Sequence, residues 1–367
     1  MSTNLKSSVV EQPGQMLAKV LACAWRGLPA GPQISVEELT VITPLLLESG
    51  AGALAWWQIR HTKVGAISAA LQLREAYRYQ VLQADLYELV IKKAFLILRS
   101  EGIDPVLVKG WDAARLYQEM GLRPCGDIDL CVRPDQYLRA KAAMEKWTDR
   151  LFMVDLHEGF ADLDSQSFDY LYARSKLIRL SESEVRVLSP EDHLRVLCFH
   201  FLRHDAYRPL WLCDIAAALE MRPANFDWTA CLGQNKRRAD WMACAIGLAH
   251  CLLGADINDT PVEYKAKRLP KWLISNVLKQ WNTPGARNHG IWKHQAPMAY
   301  HFRHPTGLLR DVINRWPGPI EATVKIGGPI NELPRLPFQL GYSIWRALRF
   351  ICRLAMPSSS QNREMHQ

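Results

Sequence analysis

The sequence predicts an α+β protein in which a small mixed β-sheet is flanked by helical N- and C-terminal regions. Apolar residues recur at steps of three and four over most of the chain, which is the spacing of one face of an amphipathic helix. Only in the central part do short apolar runs alternate with helical stretches, as a small sheet with helical cover requires. The chain is therefore divided into residues 1–100, 101–175, 176–282 and 283–367.

The N-terminal region is predicted to contain helices at 35–50 and from about 65 to 100. Leu82, Leu86 and Leu89 follow the helical spacing of the second helix. The period then changes, because PVLVKG is a short apolar run bounded by proline and glycine, which is typical of a strand. In this central region strands are predicted at 105–110, 127–133 and 150–158, and helices at 111–119 and 134–148.

The C-terminal half is predicted to be helical again. Ser189, Pro190 and Glu191 form a helix start, with a capping serine, a first-turn proline and an acidic first turn. The stretch 283–340 is rich in Pro, Gly, Arg, His and Trp and is predicted to be irregular. The predicted helices lie at 190–205, 208–221, 226–234, 236–253, 270–281 and 341–355.

The composition is that of a globular protein, since 49% of the 367 residues are hydrophobic and 22% are charged. The formal net charge of +8 favours anionic partners such as nucleotides, nucleic acid or acidic membrane surfaces. Nine cysteines without a CxxC pair, and a first segment without a signal-peptide pattern, predict a cytoplasmic protein with reduced thiols. Pro44 and Glu48 interrupt the longest apolar run, so no transmembrane segment is predicted.

Two aspartates one residue apart lie in a run that is otherwise suited to a buried strand. Because side chains at i and i+2 of a strand point to the same face, Asp127 and Asp129 of GDIDLCV would present two carboxylates to one spot. Two like charges this close call for a cation, and hard oxygen ligands suit Mg²⁺ bound together with substrate phosphates. The alternative is an exposed strand end with solvated aspartates.

A third acid on a neighbouring strand is needed if two metal ions are to serve displacement at phosphorus. Asp155 lies inside the apolar run FMVDLHEGF, where an unpaired carboxylate is costly to desolvate. Asp162 and Asp164 are rivals, but their segment GFADLDSQS is typical of a loop, so Asp155 is preferred. His157 would share the face of Asp155, either as a proton acceptor or as a histidine bonded to Asp155 or Asp129.

Three segments of the chain have a recognisable pattern, namely VLVKGWDAARLYQEMGLRPCGDIDLCV (106–132), VDLH (154–157) and LSPEDHLRVLCFHFLRHDAYRPLWLCDIAAAL (188–219). In these segments the chain resembles the uncharacterised nucleotidyltransferase family of the polymerase-β superfamily. These segments contain a Leu-Lys-Gly-type strand end, an Arg-Pro-x-Gly-Asp-x-Asp strand, an acidic-x-His strand and a His-rich helix. The likeness extends over about 40–355 and is strongest in 103–133.

This resemblance implies an enzyme with its nucleotidyltransferase core in 101–175, which moves a nucleoside monophosphate from an NTP such as ATP to a hydroxyl-type acceptor and releases pyrophosphate. The acceptor would be a small molecule, a glycan or a protein. Two Mg²⁺ ions, or Mn²⁺, are the implied cofactors: Asp127 and Asp129 would ligate both ions, and Asp155 would complete the catalytic metal site. Lys109 and Gly110 stand where the family's strand-to-helix turn meets the nucleotide phosphates. The usual Gly-Ser or Gly-Gly pair is absent, because a tryptophan follows Gly110, and the phosphate cradle is altered.

Three further residues are assigned to the substrate site. Arg123 lies four residues before the aspartate pair and is interpreted as a bidentate phosphate ligand, with an ion pair to Asp127 as the alternative. His200 and His204 lie one helical turn apart, a spacing that can hold zinc on one helix face, but packing at a helix interface or lining of the substrate cleft is preferred. The resemblance implies the cleft.

The basic C-terminal stretch suggests the main alternative function, a non-catalytic protein that binds nucleic acid or an acidic polymer. A metal-dependent hydrolase or phosphotransferase that uses the same acidic pair is a further alternative. The segment 341–354 is also predicted to contact an anionic membrane surface peripherally. The basic and tryptophan residues of this stretch are Trp281, Arg287, Trp292, Lys293, His294, Arg303, His304, Arg310, Arg315, Trp316, Arg335, Trp345, Arg346, Arg349 and Arg353.

Overall fold

The computed structural model describes residues 11–27, 31–147, 153–160, 166–282 and 316–355, with side chains as far as Cys352. In this part of the chain fifteen α-helices surround one five-stranded mixed sheet, which confirms the predicted α+β class. Several residues singled out in the sequence lie outside the described ranges. These are Asp162, Asp164, Arg287, Trp292, Lys293, His294, Arg303, His304, Arg310, Arg315 and the side chain of Arg353.

Four helices precede the sheet, namely α1 (Pro13–Leu21), α2 (Val36–Glu48), α3 (Gly52–Ile59) and α4 (Ser68–Ser100). Of these, α2 and α4 confirm the two helices predicted in this region. A capping box starts α2: Ser35 Oγ accepts the N–H of Glu38, and the Glu38 carboxylate accepts the N–H of Ser35. The 33 residues of α4 span about 50 Å, and its C-terminal half buries Ile91, Phe95 and Leu98.

The sheet has the strand order β3-β2-β1-β5-β4. Its strands are β1 (Val106–Val108), β2 (Ile128–Val132), β3 (Val154–Glu158), β4 (Lys176–Leu180) and β5 (Ser183–Val187). β2 pairs in parallel with β3 and antiparallel with β1, while β1 pairs in parallel with β5. Because β2 lies between two neighbours and all five of its residues are buried, any charge on it lies in a desolvated position.

The hairpin of β4 and β5 was not predicted from the sequence. Its strands pair from Lys176 and Val187 to Leu180 and Ser183, so the sheet extends past residue 175. Val185 and Val187 alternate with charged residues, which is a strand signal. The two-residue loop contains Ser181 at a φ of 53° instead of the glycine that usually marks such a turn, which removes the stronger signal.

Three helices accompany the sheet, namely α5 (Gly110–Ala114), α6 (Tyr137–Glu145) and α7 (Phe168–Arg174). α5 was predicted to extend to residue 119, and this prediction is wrong. The chain turns after Ala114, and the turn brings the Tyr117 hydroxyl to Asp214, to which it donates a hydrogen bond of 2.9 Å. A buried polar contact outweighs helix propensity here.

Eight helices follow the sheet: α8 (Pro190–Arg203), α9 (Pro209–Glu220), α10 (Trp228–Leu232), α11 (Lys236–Leu253), α12 (Glu263–Ala266), α13 (Lys271–Trp281), α14 (Pro319–Lys325) and α15 (Leu336–Ala355). The expectation that 283–340 is irregular is wrong for α14 and for the start of α15. Gly318 occupies the N-cap position of α14 and Pro319 lies in its first turn, while Pro337 lies in the first turn of α15. Proline is tolerated at these positions because the first-turn N–H groups lack helical partners anyway.

Asp205 joins α14 to the end of α8. Its carboxylate is fully buried and accepts the backbone N–H groups of Ile320 (2.9 Å) and Glu321 (3.1 Å), which belong to the first turn of α14. A Cβ at Gly318 would overlap this carboxylate, so a glycine is required at that position. The distant aspartate thus acts as the N-terminal cap of α14.

Candidate active site

The register of β2 and β3 brings two carboxylates and an imidazole together. Asp129 is paired with Asp155, and two residues further Cys131 is paired with His157. His157 Nε2 lies 2.8 Å from Asp129 Oδ1 and 3.3 Å from Asp155 Oδ2. The ligand atoms of Asp129, Asp155 and His157 all lie within 4.8 Å of one another. We call these three residues the acidic cluster.

Asp127 lies next to the acidic cluster without being a member of it. It directly precedes β2 and its side chain is exposed, whereas Asp129 is only 6% exposed. Partial desolvation raises the pKa of Asp127, and the charges of Asp129 and Asp155 raise it further. Asp127 is therefore electrostatically coupled to both carboxylates, as the i, i+2 spacing predicts.

His157 is held between two carboxylates. Burial lowers the pKa of its imidazole, but the hydrogen bond to Asp129 and the charges of Asp155 and Asp129 outweigh burial, so the pKa lies above the usual 6.5. The bonding to Asp129 matches one of the two roles inferred from the sequence. A raised pKa also means that a proton must leave Nε2 before this nitrogen can ligate a metal ion.

Lys109 and Gly110 form the turn between β1 and α5, at the edge of the acidic cluster. Lys109 Nζ lies 3.8 Å from Asp129 Oδ1. Its backbone has a φ of 55° and a ψ of −136°, a conformation that non-glycine residues rarely adopt. A Cβ at Gly110 would lie 3.1 Å from the carbonyl oxygen of Asp127, so the turn packs tightly against the start of β2.

Comparing Lys109→Gly with Lys109→Ala should reveal the strain at this turn. Both substitutions remove the ammonium group near Asp129, so their difference isolates the backbone. We expect the glycine variant to be more stable by about 1 kcal/mol, because a strained φ/ψ costs roughly 1–3 kcal/mol and the greater freedom of glycine in the unfolded chain offsets part of the gain. Urea unfolding of both variants measures this. An alanine variant that is more stable than the glycine variant would show that Lys109 carries no backbone strain.

Arg123 forms an ion pair outside the acidic cluster. Its guanidinium is 7% exposed and donates to Asp214 of α9 at 2.8 Å, and Tyr117 donates to the same carboxylate. Burial lowers the pKa of Arg123, but the charge of Asp214 more than compensates and raises it overall. The ion pair is with Asp214 and not with Asp127, so the contact with phosphate expected from the sequence has no support from these bonds.

His200 and His204 pack around one tryptophan. Their rings lie 4.3 and 5.4 Å from the ring of Trp211, measured between centroids. The guanidinium of Arg208 lies 5.5 Å from the centroid of the same ring, and its Nε donates to the carbonyl oxygen of Ser49 at 2.7 Å. Burial lowers the pKa of Arg208, and the charge of Arg123 lowers it further. We call His200, His204, Arg208 and Trp211 the Trp211 cluster.

Sequence reasoning missed Asp214 and Arg208. Asp214 could have been identified from the sequence, because it lies inside the apolar run LWLCDIAAAL. A carboxylate in such a run must have a buried partner, as must Asp155 in its own run. Nothing in the sequence identifies that partner as Arg123, which lies 91 positions away. Arg208 carries no signal of its own, because one arginine between a tyrosine and a proline fits an exposed helix start equally well.

The donor atoms of the acidic cluster fit a divalent cation. Carboxylate oxygens suit Mg²⁺ and Mn²⁺, and an imidazole nitrogen is a better ligand for Mn²⁺ than for Mg²⁺. Asp129, Asp155 and His157 are the three described residues with ligand atoms close enough to share one ion. The nearby carboxylate of Asp127 supplies further negative charge for such an ion, since its pKa responds to Asp129 and Asp155.

Comparison with known proteins identifies the family of this chain. A family model described as an uncharacterised nucleotidyltransferase matches residues 42–254, which is more than half of the chain. The matched range contains β1 to β5, the acidic cluster and the Trp211 cluster. No curated protein and no solved structure matches the chain.

Proposed function

This chain belongs to the uncharacterised nucleotidyltransferase family, and from that premise we propose that it transfers a nucleoside monophosphate from an NTP to a hydroxyl-type acceptor. The observation that carries the proposal is the register of β2 and β3, which pairs Asp129 with Asp155 and adds His157 within hydrogen-bond distance. Such a cluster would hold divalent cations, and the cations would neutralise the negatively charged phosphates of the NTP.

In the proposed reaction an oxygen of the acceptor forms a bond to the α-phosphorus of the NTP. The bond from the α-phosphorus to the oxygen that bridges to the β-phosphorus breaks, and pyrophosphate leaves. The hydroxyl proton passes to solvent or to a base in the site. Bound Mg²⁺ or Mn²⁺ ions would neutralise phosphate charge and lower the pKa of the attacking hydroxyl. Asp127, Asp129 and Asp155 are the residues that would hold them.

The remaining polar residues have distinct proposed roles. Lys109 lies close enough to Asp129 to meet the phosphates of a nucleotide bound at the cluster. His157 orients Asp129 and Asp155 through its hydrogen bonds. Arg123 is left out, since Asp214 already pairs with it.

The experiment that tests this function is a transfer assay with four α-labelled NTPs. Each NTP is incubated with the protein, Mg²⁺ or Mn²⁺, and cell extract as the source of acceptor. We expect label from a subset of the NTPs to be retained on an acceptor while pyrophosphate is released. The Asp129→Asn variant serves as the blank, because its side chain has nearly the same shape but lacks the charge.

Two results would contradict the proposal. Equal labelling by the wild-type protein and by Asp129→Asn would mean that the acidic cluster takes no part. Release of free phosphate without a labelled acceptor would favour a hydrolase that uses the same carboxylates. Thin-layer chromatography follows the labelled acceptor, and a parallel reaction with γ-labelled NTP distinguishes pyrophosphate from free phosphate.

A further inference from the structure

The helix α15 presents an exposed apolar face. Leu340, Ile344, Leu348 and Ile351 follow one another at steps of four, four and three residues, so they line one side of the helix. Their exposed fractions are 44%, 60%, 57% and 59%. Leaving four large aliphatic side chains in water on one helix face is costly, which indicates that this face is covered by something other than the described chain.

The opposite side of α15 is attached to the protein. Tyr342 is only 7% exposed, and Gln339 donates to the carbonyl oxygen of Pro317 at 2.8 Å. α15 packs on α14, which is itself capped by Asp205. These contacts hold the first half of α15, and all residues from Ile344 to Cys352 except Arg349 are exposed, so the apolar face points outward.

The charge of α15 is entirely basic. Residues 336–355 contain three arginines and no acidic residue. Arg346 and Arg349 lie away from the apolar face, two residues after Ile344 and one after Leu348. The arrangement of an apolar face with arginines on the polar side complements an anionic lipid surface.

The width of the apolar surface favours a membrane over a second copy of the chain. Trp345 and Phe350 are exposed by 45% and 48% on either side of the four aliphatic residues. A pair of helices buries a narrow seam, whereas a helix lying in a bilayer interface buries a broad face and places tryptophan at its border. None of the described helices combines the length and apolarity needed to cross a bilayer.

We propose that α15 binds the surface of anionic membranes, with the Leu340–Ile351 face inserted among the acyl chains and its arginines at the headgroups. The helix lies parallel to the membrane plane. This surface is separate from the acidic cluster, so the proposal stands or falls independently of the proposed transfer reaction.

Vesicle co-sedimentation tests the proposal with the full-length protein. Phosphatidylcholine vesicles with roughly a third phosphatidylserine are compared with pure phosphatidylcholine vesicles. We expect binding to the anionic vesicles, weakened by high salt, and a loss of about tenfold or more for Leu348→Asp. Arg346→Glu together with Arg349→Glu should weaken binding by about fivefold for each arginine. The matched control is Leu138→Asp, an isolated leucine of α6 that is 78% exposed.

Three outcomes would overturn the proposal. The protein sediments with neither kind of vesicle, or Leu348→Asp binds as well as the wild-type protein, or Leu138→Asp loses binding to the same extent. Size-exclusion chromatography of the same variants completes the test. A dimer that Leu348→Asp converts to a monomer, without any vesicle binding, would assign the apolar face to a second copy of the chain. Thermal unfolding confirms that each variant is folded before it is scored.

Discussion

Replacing Asp129 by asparagine should reduce nucleotidyl transfer by about 10³-fold or more. Asp129 is the buried member of the acidic cluster and contacts both Lys109 and His157. Asparagine keeps the size of the side chain and the packing of β2, so the substitution removes mainly a negative charge and a metal ligand. Initial rates at saturating NTP, with the nucleotide preferred in the four-NTP panel, measure the effect.

The control for this prediction is Asp85→Asn, which removes an exposed carboxylate of α4 outside the cluster. We expect its transfer rate to equal that of the wild-type protein. Mn²⁺ binding, followed by electron paramagnetic resonance, should weaken in Asp129→Asn and not in Asp85→Asn. A variant at position 129 that keeps wild-type rates and wild-type Mn²⁺ affinity would remove the acidic cluster from the mechanism.

Replacing Asp214 by alanine should lower the free energy of unfolding by about 3–5 kcal/mol. The carboxylate is fully buried and accepts hydrogen bonds from Arg123 and Tyr117. Its removal leaves the guanidinium of Arg123 buried without its counter-charge, which costs far more than the loss of an exposed ion pair. Because a domain is stable by only about 5–15 kcal/mol, such a loss is a large part of the total. Urea unfolding followed by circular dichroism measures it.

The control for this prediction is an aspartate in an exposed ion pair. Asp240 pairs with Lys265, and both side chains are nearly half exposed. Asp240→Ala should cost less than about 1 kcal/mol. A double variant, Arg123→Met with Asp214→Leu, should recover most of the stability, since two apolar residues leave no buried charge unpaired. If Asp214→Ala and Asp240→Ala lower the free energy of unfolding equally, the buried network stabilises the protein no more than an exposed ion pair does.

The sequence predicted most helices and the strands that carry the acids, because both depend on local patterns. The three- and four-residue spacing of α4 and the apolar runs around Asp129 and Asp155 can be identified without knowledge of the fold. The family model matches residues 42–254, which is the part of the chain that contains α4 and these strands. The assignment of catalytic and nucleotide-binding roles to individual residues stays a prediction, as does the division into four regions.

What the sequence could not predict depends on contacts between distant segments. Arg123 was expected at phosphate because it lies four residues before the aspartate pair, yet its partner comes from α9. α14 was missed because the proline and glycine at its start resemble loop residues until Asp205 is seen to cap it. The unusual backbone of Lys109 has no sequence signal, since lysine does not favour a positive φ.

The cap provided by Asp205 has a practical consequence for shortened versions of this protein. A chain that stopped at 282 would leave a fully buried carboxylate without the two amide donors of α14. It would also remove the carbonyl of Gly328, which accepts the indole N–H of Trp241. Deletions intended to improve solubility should therefore begin within α15, after Tyr342, where the side chains that anchor this helix have been passed.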